Sequence, residues 1–291
     1  MKEPVIGLVA GDPSGVGPEL LAHALKNTPD GVRLEVIGDP APLNPGTPSQ
    51  IGSQRAIEAL EESARKAMSG EIDAVVTGPV SKKNLHQAGF EFPGQTEFFA
   101  ARASVSNYAM LLTGGPLTVA LVTAHVPLRE VAGMLSSSEI VRVGCLLAEF
   151  LKKRGISSPR IAIAGLNPHA GEQGDLGDEE VRIIEPSMTL LAATNAGVSF
   201  SGPFSPDTVF WRAANGEFDA VLCMYHDQGL IPLKLLGFHD GVNVTLGLPF
   251  FRTSPDHGTA YELAGTGKAR PESFLSAVRL AAELVRTRSS N

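Results

Sequence analysis

The chain has 291 residues, of which 43% are apolar and 19% are charged, and its formal net charge is -7. A chain of this length and apolar content can bury a core large enough for one large domain or two smaller ones. The acidic balance and the lack of a lysine or arginine cluster argue against binding to a nucleic-acid backbone, which needs a concentrated basic face. We therefore expect no nucleic-acid partner.

The cysteine content and the N-terminal sequence predict a cytoplasmic protein. Cys145 and Cys223 are the only two cysteines, and their wide spacing suggests neither a disulfide framework nor a thiolate zinc site. The apolar run Val5 to Ala10 is too short for the core of a signal peptide or for a membrane span. We expect no membrane partner.

Short β-branched apolar runs alternate with segments whose apolar residues recur at spacings of three and four. The runs predict buried strands, and the spaced segments predict helices with one apolar face. In chain order the predicted elements are strand 5–10, helix 18–26, strand 34–37, helix 53–68, strand 74–77, strand 117–123, helix 139–154, strand 160–164, helix 178–196, strand 220–224 and helix 272–286. Four prolines make residues 39–49 a connection without regular structure, because proline fixes φ and lacks a donor. The alternation predicts an α/β fold with helices on the faces of largely parallel sheets.

A glycine-rich turn follows the first predicted strand, with the sequence Gly-Asp-Pro-Ser-Gly-Val-Gly-Pro-Glu over residues 11–19. Such a turn before a helix can present backbone N–H groups to an anion. It does not match the Rossmann fingerprint, because Leu20 stands where the third glycine is required. From these residues alone, a turn that contacts a ligand and a purely structural turn both remain open.

Three histidines follow predicted strands. They are His125 in Thr-Ala-His-Val-Pro, His169 in Asn-Pro-His-Ala-Gly and His226 in Tyr-His-Asp-Gln-Gly. Strand ends are where α/β folds place their chemistry, and neutral imidazoles bind divalent metals that keep a position open for a substrate oxygen. Each histidine taken singly could instead hydrogen-bond its own turn, but the three together favour a metal site.

Lys234, Asn243 and Arg252 interrupt an otherwise apolar stretch, and long charged side chains are unexpected there unless they reach a cleft or solvent. An anionic ligand would explain them, since the arginine fork suits phosphate or carboxylate. Lys234 could equally lie on an exposed helix face. Residues 256–269 then form a loop rich in glycine.

These motifs resemble two groups of known proteins. The turn at residues 11–19 and the loop at residues 256–269 resemble cofactor-binding segments of isocitrate and isopropylmalate dehydrogenases. Along nearly the whole chain, the motifs resemble the 4-hydroxythreonine-4-phosphate dehydrogenase family. They are Gly-Asp-Pro-Ser-Gly-Val-Gly-Pro-Glu, Thr-Gly-Pro-Val-Ser-Lys, Pro-Gly-Gln-Thr-Glu-Phe, Leu-Asn-Pro-His-Ala-Gly-Glu, Tyr-His-Asp-Gln-Gly-Leu and Asp-His-Gly-Thr-Ala.

The resemblance implies two α/β/α domains of the isopropylmalate dehydrogenase type, with an active-site cleft between them. Residues 1–97 with 250–291 would form the first domain, and residues 98–249 the second domain with the dimer interface. It also implies a homodimer whose active sites are shared between subunits. The implied reaction is oxidation of a secondary hydroxyl of a small phosphorylated substrate by NAD or NADP, followed by loss of carbon dioxide to give 3-amino-2-oxopropyl phosphate in vitamin B6 synthesis.

The resemblance also assigns roles to individual residues. His125, His169 and His226 would bind one divalent metal, with zinc, magnesium and cobalt all open. The implied substrate-binding residues are Gln95, Thr96, Lys234, Asn243 and Arg252, and the implied cofactor-binding residues are Gly11, Asp12, Gly15, Asp256, His257, Gly258 and Thr259. Lys234 and Asp227 are candidates for proton transfer or for orienting a metal ligand.

One position departs from the family. Where the family has Pro-Gly-His-Thr-Glu, this chain has Gln95, a neutral amide that can hydrogen-bond an anion but cannot carry a proton near neutral pH. A sister dehydrogenase acting on a phosphorylated sugar acid, such as 4-phosphothreonate or phosphoerythronate, is therefore an alternative. A non-redox metal-dependent phosphatase or phosphometabolite-binding protein is a third, which would have no use for NAD or NADP.

Overall fold

The computed structural model describes residues 3–289, and these form two compact units. Unit 1 contains the described residues up to Ser106 and those from Val242 onward, and unit 2 runs from Asn107 to Gly241. The boundaries lie after residue 106 rather than 97, and after residue 241 rather than 249. The first shift arises because Phe98 and Phe99 pack in unit 1, and the second because the strand that begins at Val242 pairs within that unit.

Unit 1 is built on a sheet of five strands in the order β2-β1-β3-β10-β9. The strands are β1 (Val5–Val9), β2 (Arg33–Ile37), β3 (Ala74–Thr77), β9 (Val242–Leu246) and β10 (Phe251–Pro255). All neighbours are parallel except β9, which runs antiparallel to β10. The helices of this unit are α1 (Gly17–Lys26), α2 (Gln50–Ser69), α3 (Lys82–Gln87), α4 (Gln95–Arg102) and α10 (Glu272–Ser289).

Local signals explain where these helices begin and end. The Ser49 hydroxyl accepts a hydrogen bond from the Gly52 amide and starts α2, and Gly70 ends that helix with a φ of 75°. Gly17 starts α1 at a close approach, because a Cβ atom at this position would lie 1.8 Å from the Ala10 carbonyl oxygen. The predicted connection at residues 39–49 contains neither helix nor strand, as expected.

Unit 2 is also built on a sheet of five strands, in the order β4-β5-β8-β6-β7. The strands are β4 (Ala109–Gly114), β5 (Leu117–Leu121), β6 (Arg160–Ala164), β7 (Ser199–Phe204) and β8 (Ala220–Cys223). β4 and β5 form an antiparallel hairpin, and the other neighbours are parallel. The helices are α5 (Leu128–Met134), α6 (Ser137–Lys153), α7 (Glu185–Thr194), α8 (Pro206–Ala214) and α9 (His226–Leu236).

The predicted α/β fold with largely parallel sheets is confirmed. All six predicted strands and all five predicted helices are present, with bounds that shift by a few residues, except that the predicted helix 178–196 opens with a π-helical turn at Glu180–Ile184 before α7. Four further strands and five short helices were not predicted. Within residues 3–289, no single helix is long and apolar enough to cross a membrane; α5 and α6, which meet at 97°, reach that length and composition only together.

Candidate active site

The three predicted metal ligands follow three neighbouring strands of unit 2. β5 pairs in parallel with β8, and β8 pairs in parallel with β6. His125 follows β5, His226 follows β8 and His169 follows β6. Because the carboxyl ends of parallel strands meet at one edge of a sheet, all three histidines belong to the same edge.

Two of these histidines lie side by side. The ring centroids of His125 and His226 are 5.6 Å apart, and both rings line a cavity of about 460 Å³ together with Tyr225 and Asp227. The Nδ1 atom of His226 lies 2.7 Å from the Asp227 Oδ1 atom. A carboxylate on one ring nitrogen directs the other nitrogen toward a metal, so this pair fits a divalent ion that prefers imidazole ligands.

His169 does not join this pair in the single chain. It lies in a turn, Pro168–Gly174, in which residues 169–173 all have positive φ angles. Its side chain is 62% exposed, and its Nδ1 atom lies 2.9 Å from the Glu172 Oε1 atom. No three histidine, cysteine, aspartate or glutamate side chains of residues 3–289 form a group that could hold a metal. The predicted three-histidine set is therefore represented by two neighbours and a third member on the same sheet edge.

Two buried residues that the sequence analysis missed hold the turns after these strands. The Glu180 carboxylate accepts hydrogen bonds from the amides of Leu166 and Asn167, at 2.7 and 2.8 Å, and from the Asn167 side chain. Gln228 accepts from the Met224 amide and donates to the Gly165 carbonyl, so it ties the end of β8 to the end of β6. The signal for Glu180 was a carboxylate on the apolar face of a predicted helix.

Tyr225 is a further residue of the cavity in unit 2. Its side chain is half-buried and lines the same cavity as His226. Burial raises the pKa of Tyr225, and the nearby Asp227 carboxylate adds to the increase. The hydroxyl therefore stays protonated near neutral pH and can donate a hydrogen bond to a ligand in the cavity.

Four of the five predicted substrate-binding residues lie in unit 1, and Arg252 is at their centre. Its guanidinium group is only 3% exposed and donates to the Thr245 hydroxyl at 3.2 Å, the Thr77 hydroxyl at 2.8 Å and the Gln95 Oε1 atom at 2.9 Å. Burial lowers the pKa of Arg252 to about 10, and the Glu97 carboxylate works against that decrease. The group is thus a buried cation at neutral pH whose hydrogen-bond partners are all neutral.

Thr96 and Asn243 complete this cluster. The Thr96 hydroxyl lies 3.4 Å from the Thr245 hydroxyl. Among residues 3–289, neither the Asn243 Oδ1 atom nor the Arg252 Nε atom has a hydrogen-bond partner, although both atoms are buried. Buried polar groups are nearly always hydrogen-bonded in folded proteins, so two unpartnered atoms in one cluster indicate a place for a ligand.

Lys234, the fifth predicted substrate-binding residue, belongs to unit 2. It lies on α9 of unit 2 and is half-buried. Asp227, the other candidate for proton transfer, is 71% exposed and is the hydrogen-bond partner of His226. This contact supports the orienting role for Asp227 rather than a role in proton transfer.

The predicted cofactor-binding residues form two groups. The first is a buried turn that contains Gly11, Asp12 and Gly15, and the second is the turn at residues 256–259. Asp12 is buried, and its carboxylate accepts from the Ser14 amide at 2.9 Å and from the Tyr261 hydroxyl at 2.6 Å. A Cβ atom on Gly15 would lie 2.7 Å from the Thr259 carbonyl oxygen, and one on Gly11 would lie 2.3 Å from the Pro79 carbonyl oxygen. These three residues hold the turn together by close backbone contact and internal hydrogen bonds.

The second cofactor segment presents its residues differently. His257 and Gly258 are exposed, and a Cβ atom on Gly258 would meet nothing within 4 Å. The Asp256 amide donates to the Ser273 hydroxyl at 3.1 Å and so fixes the start of this turn. This turn is accessible to a ligand, and it packs against the buried turn where Gly15 lies close to Thr259.

Comparisons with known proteins identify the family. The family model described as pyridoxal phosphate biosynthetic protein PdxA matches residues 19–281. The chain belongs to the PdxA family. It is 44% identical to a 4-hydroxythreonine-4-phosphate dehydrogenase of Desulfosudis oleivorans, over 96% of this chain and 95% of that protein. It is 39% identical to a D-threonate 4-phosphate dehydrogenase of Pectobacterium atrosepticum, over 96% of this chain and 99% of that protein.

A solved structure in the PdxA family agrees with the fold. The structure of a putative 4-hydroxythreonine-4-phosphate dehydrogenase from Salmonella typhimurium has a TM-score of 0.86 and 38% identity, and the match covers 97% of this chain and all of that chain. The predicted family and the predicted oxidoreductase class are confirmed. The names of these relatives specify two different substrates. These are the alternatives that Gln95 leaves open in the sequence analysis.

Proposed function

We propose that this PdxA-family chain is a metal-assisted dehydrogenase that oxidises a small phosphorylated hydroxy acid with NAD or NADP. The observation that carries the proposal is Arg252, a buried cation bonded only to neutral groups and left with one unpartnered N–H. A buried charge whose hydrogen-bond partners are all neutral is costly, so its retention is explained by an anion that binds during function. Both substrates named among the relatives carry a phosphate.

In this proposal the unit 1 cluster anchors the substrate by its phosphate. Arg252 donates to the anion from Nε, the atom that no protein group occupies. Thr96 and Asn243 add polar contacts, while Gln95 holds the guanidinium in place by accepting from Nη2 and donating to the Gly78 carbonyl. Fixing the fork in this way leaves a pre-organised donor, which reduces the entropy lost when the anion binds.

The histidine edge of unit 2 supports the chemical step. His125 and His226 would hold the divalent ion, with His169 as the third ligand that the family resemblance implies. When bound, such an ion would supply Lewis-acid chemistry that makes a substrate hydroxyl more acidic and favours the loss of carbon dioxide. Asp227 keeps the His226 ring in the orientation that exposes Nε2, and Lys234 is the candidate for proton transfer.

Hydride transfer requires a nicotinamide cofactor, which we place on the exposed His257–Gly258 turn of unit 1. When bound there, a nicotinamide ring would supply the hydride-accepting chemistry for the carbon that bears the substrate hydroxyl. Asp12, Gly11 and Gly15 keep the supporting turn in shape through the hydrogen bonds of Asp12 and the close backbone contacts of the two glycines.

We further propose that the enzyme is a homodimer in the cytoplasm that associates through unit 2. Exposed apolar side chains gather on and just after α9, where Ile231 is 66%, Leu235 is 82% and Phe238 is 70% exposed. Ile231 and Leu235 are four residues apart and therefore share one helix face. A Leu235→Glu variant should run as a monomer in analytical ultracentrifugation, whereas an unchanged dimer would contradict this choice of interface.

The test of the proposed function is the absorbance of reduced nicotinamide. Purified protein with a divalent metal and NAD or NADP is given 4-phosphohydroxy-threonine, D-threonate 4-phosphate or phosphoerythronate. Reduction with the first substrate alone would establish the vitamin B6 reaction, and preference for a sugar acid would establish the sister activity that Gln95 keeps open. No reduction with any substrate would contradict the proposal and favour a phosphatase or a phosphometabolite-binding protein.

A further inference from the structure

The side chains around Arg252 in unit 1 indicate the ionisation state of the anion that binds there. Strand pairing places the relevant side chains on one face of the sheet. Val244 pairs with Thr253 and Asn243 with Ser254, so the next position in register sets Thr245 opposite Arg252. Because alternate residues of a strand share a face, Asn243, Thr245 and Arg252 lie on the same side of the β9–β10 pair.

The two unpartnered atoms of this cluster have opposite hydrogen-bonding character. Arg252 Nε is a donor and needs an acceptor, whereas Asn243 Oδ1 is an acceptor and needs a donor. A fully ionised phosphate or a sulfate offers acceptors only, and would leave the Asn243 oxygen buried without a partner. A phosphate that keeps one P–OH group satisfies both atoms.

The charge of the cluster also favours a phosphate that keeps one proton. Arg252 carries one positive charge, and its partners Thr77, Thr245 and Gln95 contribute none. These partners come from β3, β9 and α4, and the ionisable group that acts on Arg252 is Glu97 on α4, whose charge is negative. Because Glu97 already offsets part of the guanidinium charge, each further negative charge on the ligand is poorly compensated, so the anion that carries less charge is favoured.

We propose that the Arg252 site takes a tetrahedral oxyanion in its singly protonated form, so that it prefers the monoanion of a phosphate monoester to the dianion and to sulfate. This inference rests on the proposed function, because it names the form of the phosphate that the substrate presents to this site. Gln95 contributes by fixing the guanidinium group without adding charge of its own.

Three small anions separate the effect of the ligand's hydrogen-bond donor from the effect of its charge. Methyl phosphate has a second pKa of about 6, so its monoanion fraction falls about fiftyfold between pH 6.0 and pH 8.0. Methyl sulfate is a monoanion without a proton to donate, and sulfate is a dianion without one. Isothermal titration of the full-length protein with each probe at both pH values gives the dissociation constants, and methyl sulfate corrects for ionisation of the protein itself.

We expect the dissociation constant of methyl phosphate to rise about fiftyfold from pH 6.0 to pH 8.0, following the loss of the monoanion. At pH 6.0, methyl phosphate should bind about tenfold more tightly than methyl sulfate, and sulfate should bind most weakly. Asn243→Ala should weaken methyl phosphate about tenfold and abolish its advantage over methyl sulfate. Asn215→Ala, which removes an exposed amide bonded to the Trp211 carbonyl in unit 2, should change neither.

Two results would overturn this inference while leaving the proposed function intact. One is a dissociation constant for methyl phosphate that does not change with pH after correction, and the other is sulfate binding as tightly as methyl phosphate. If no probe bound at either pH, both this inference and the phosphate anchor of the proposed function would be wrong. The comparison of probes on the unaltered protein decides the question even if Asn243→Ala does not fold.

Discussion

The two units place their polar side chains at a sheet edge in opposite ways. In unit 1, Arg252 is 3% exposed, and three neutral side chains fix its guanidinium group. In unit 2, the side chains of His169 and Asp227 are 62% and 71% exposed, and His169 and His226 each pair with an acidic residue close by in sequence. The polar groups of unit 1 are therefore buried and held by hydrogen bonds to several strands and a helix, whereas those at the edge of unit 2 are more exposed and less constrained by the rest of the chain.

The largest expected effect comes from removing a ligand at the unit 2 edge. His226→Ala should lower kcat/KM by about a thousandfold, because metal polarisation of a substrate oxygen contributes several kcal/mol to catalysis. Steady-state assays with added Zn²⁺ or Co²⁺, together with metal analysis of the dialysed protein, measure the loss. His86→Ala, which removes a histidine bonded to the Phe92 carbonyl in unit 1, is the matched control and should stay within about twofold. Full turnover by His226→Ala after chelation would contradict the role given to this edge.

The next effect tests the anchor in unit 1. Arg252→Gln should raise KM for the phosphorylated substrate about a hundredfold, because a charged hydrogen bond to the anion contributes about 1.5–3 kcal/mol. The metal content should not change, since the substitution lies in the other unit. Arg65→Gln, which breaks an exposed pair with Glu71, serves as the control and should leave KM unchanged. An unchanged KM in Arg252→Gln would exclude this cluster as the phosphate site.

A third prediction concerns Glu180, a buried carboxylate that holds the turn after β6 of unit 2. Glu180→Gln should lower the free energy of unfolding by about 2 kcal/mol, because the carboxylate accepts hydrogen bonds from two backbone amides and one side chain. Urea denaturation at pH 7.5 measures this change. Glu179→Gln removes a single contact with Asn167 and should cost less than about 1 kcal/mol. Equal losses in the two variants would show that the turn does not depend on Glu180.

The smallest effect is a pH-dependent one at the start of β6. Burial alone would raise the pKa of Asp219, but hydrogen bonds and charge from Arg160 outweigh burial and hold the pKa below its ordinary value of 3.8. A lowered folded-state pKa gives stability that is present above pH 3.8 and is lost as the pH falls through the folded-state value. Asp219→Asn should therefore cost about 1 kcal/mol at pH 7 and nothing once both states are protonated.

The matched control for this prediction is Asp178→Asn. Its carboxylate is 67% exposed and pairs with Arg182 at 3.3 Å, so the substitution should have almost no effect at any pH. Thermal unfolding of both variants from pH 7 to pH 3 provides the comparison. A stability difference for Asp219→Asn that did not decrease between pH 7 and pH 3 would show that its contact with Arg160 is not electrostatic in origin.

How much the sequence could predict differed between kinds of element. Strands such as Ala74–Thr77 were found because both their faces are buried and their residues are all apolar or β-branched. β9 was missed although Val242–Leu246 alternates polar and apolar residues, which was a usable signal. β7 contains Pro203, and α9 contains Gly229 and Pro232, so their local preferences oppose the structure that tertiary packing imposes.

The residues of the candidate site also differ in how far the sequence alone predicts them. The histidine positions were predictable because each follows a recognisable strand. The partners Thr77 and Thr245 were not, because their contact with Arg252 depends on the pairing of β3, β10 and β9, which no single segment reveals. The positive φ angles around His169 could not be foreseen either, since most of the residues that adopt them are not glycine.

The most direct test of the account is a turnover measurement that varies phosphate and metal together. Formation of reduced nicotinamide is followed with the preferred acid in its phosphorylated and dephosphorylated forms, each with a divalent metal and after treatment with a chelator. We predict rapid reduction only with the phosphorylated acid in the presence of metal, because the unit 1 anchor and the unit 2 edge are both required. Equal reduction rates with and without the chelator, or with the phosphorylated and dephosphorylated acids, would contradict this prediction.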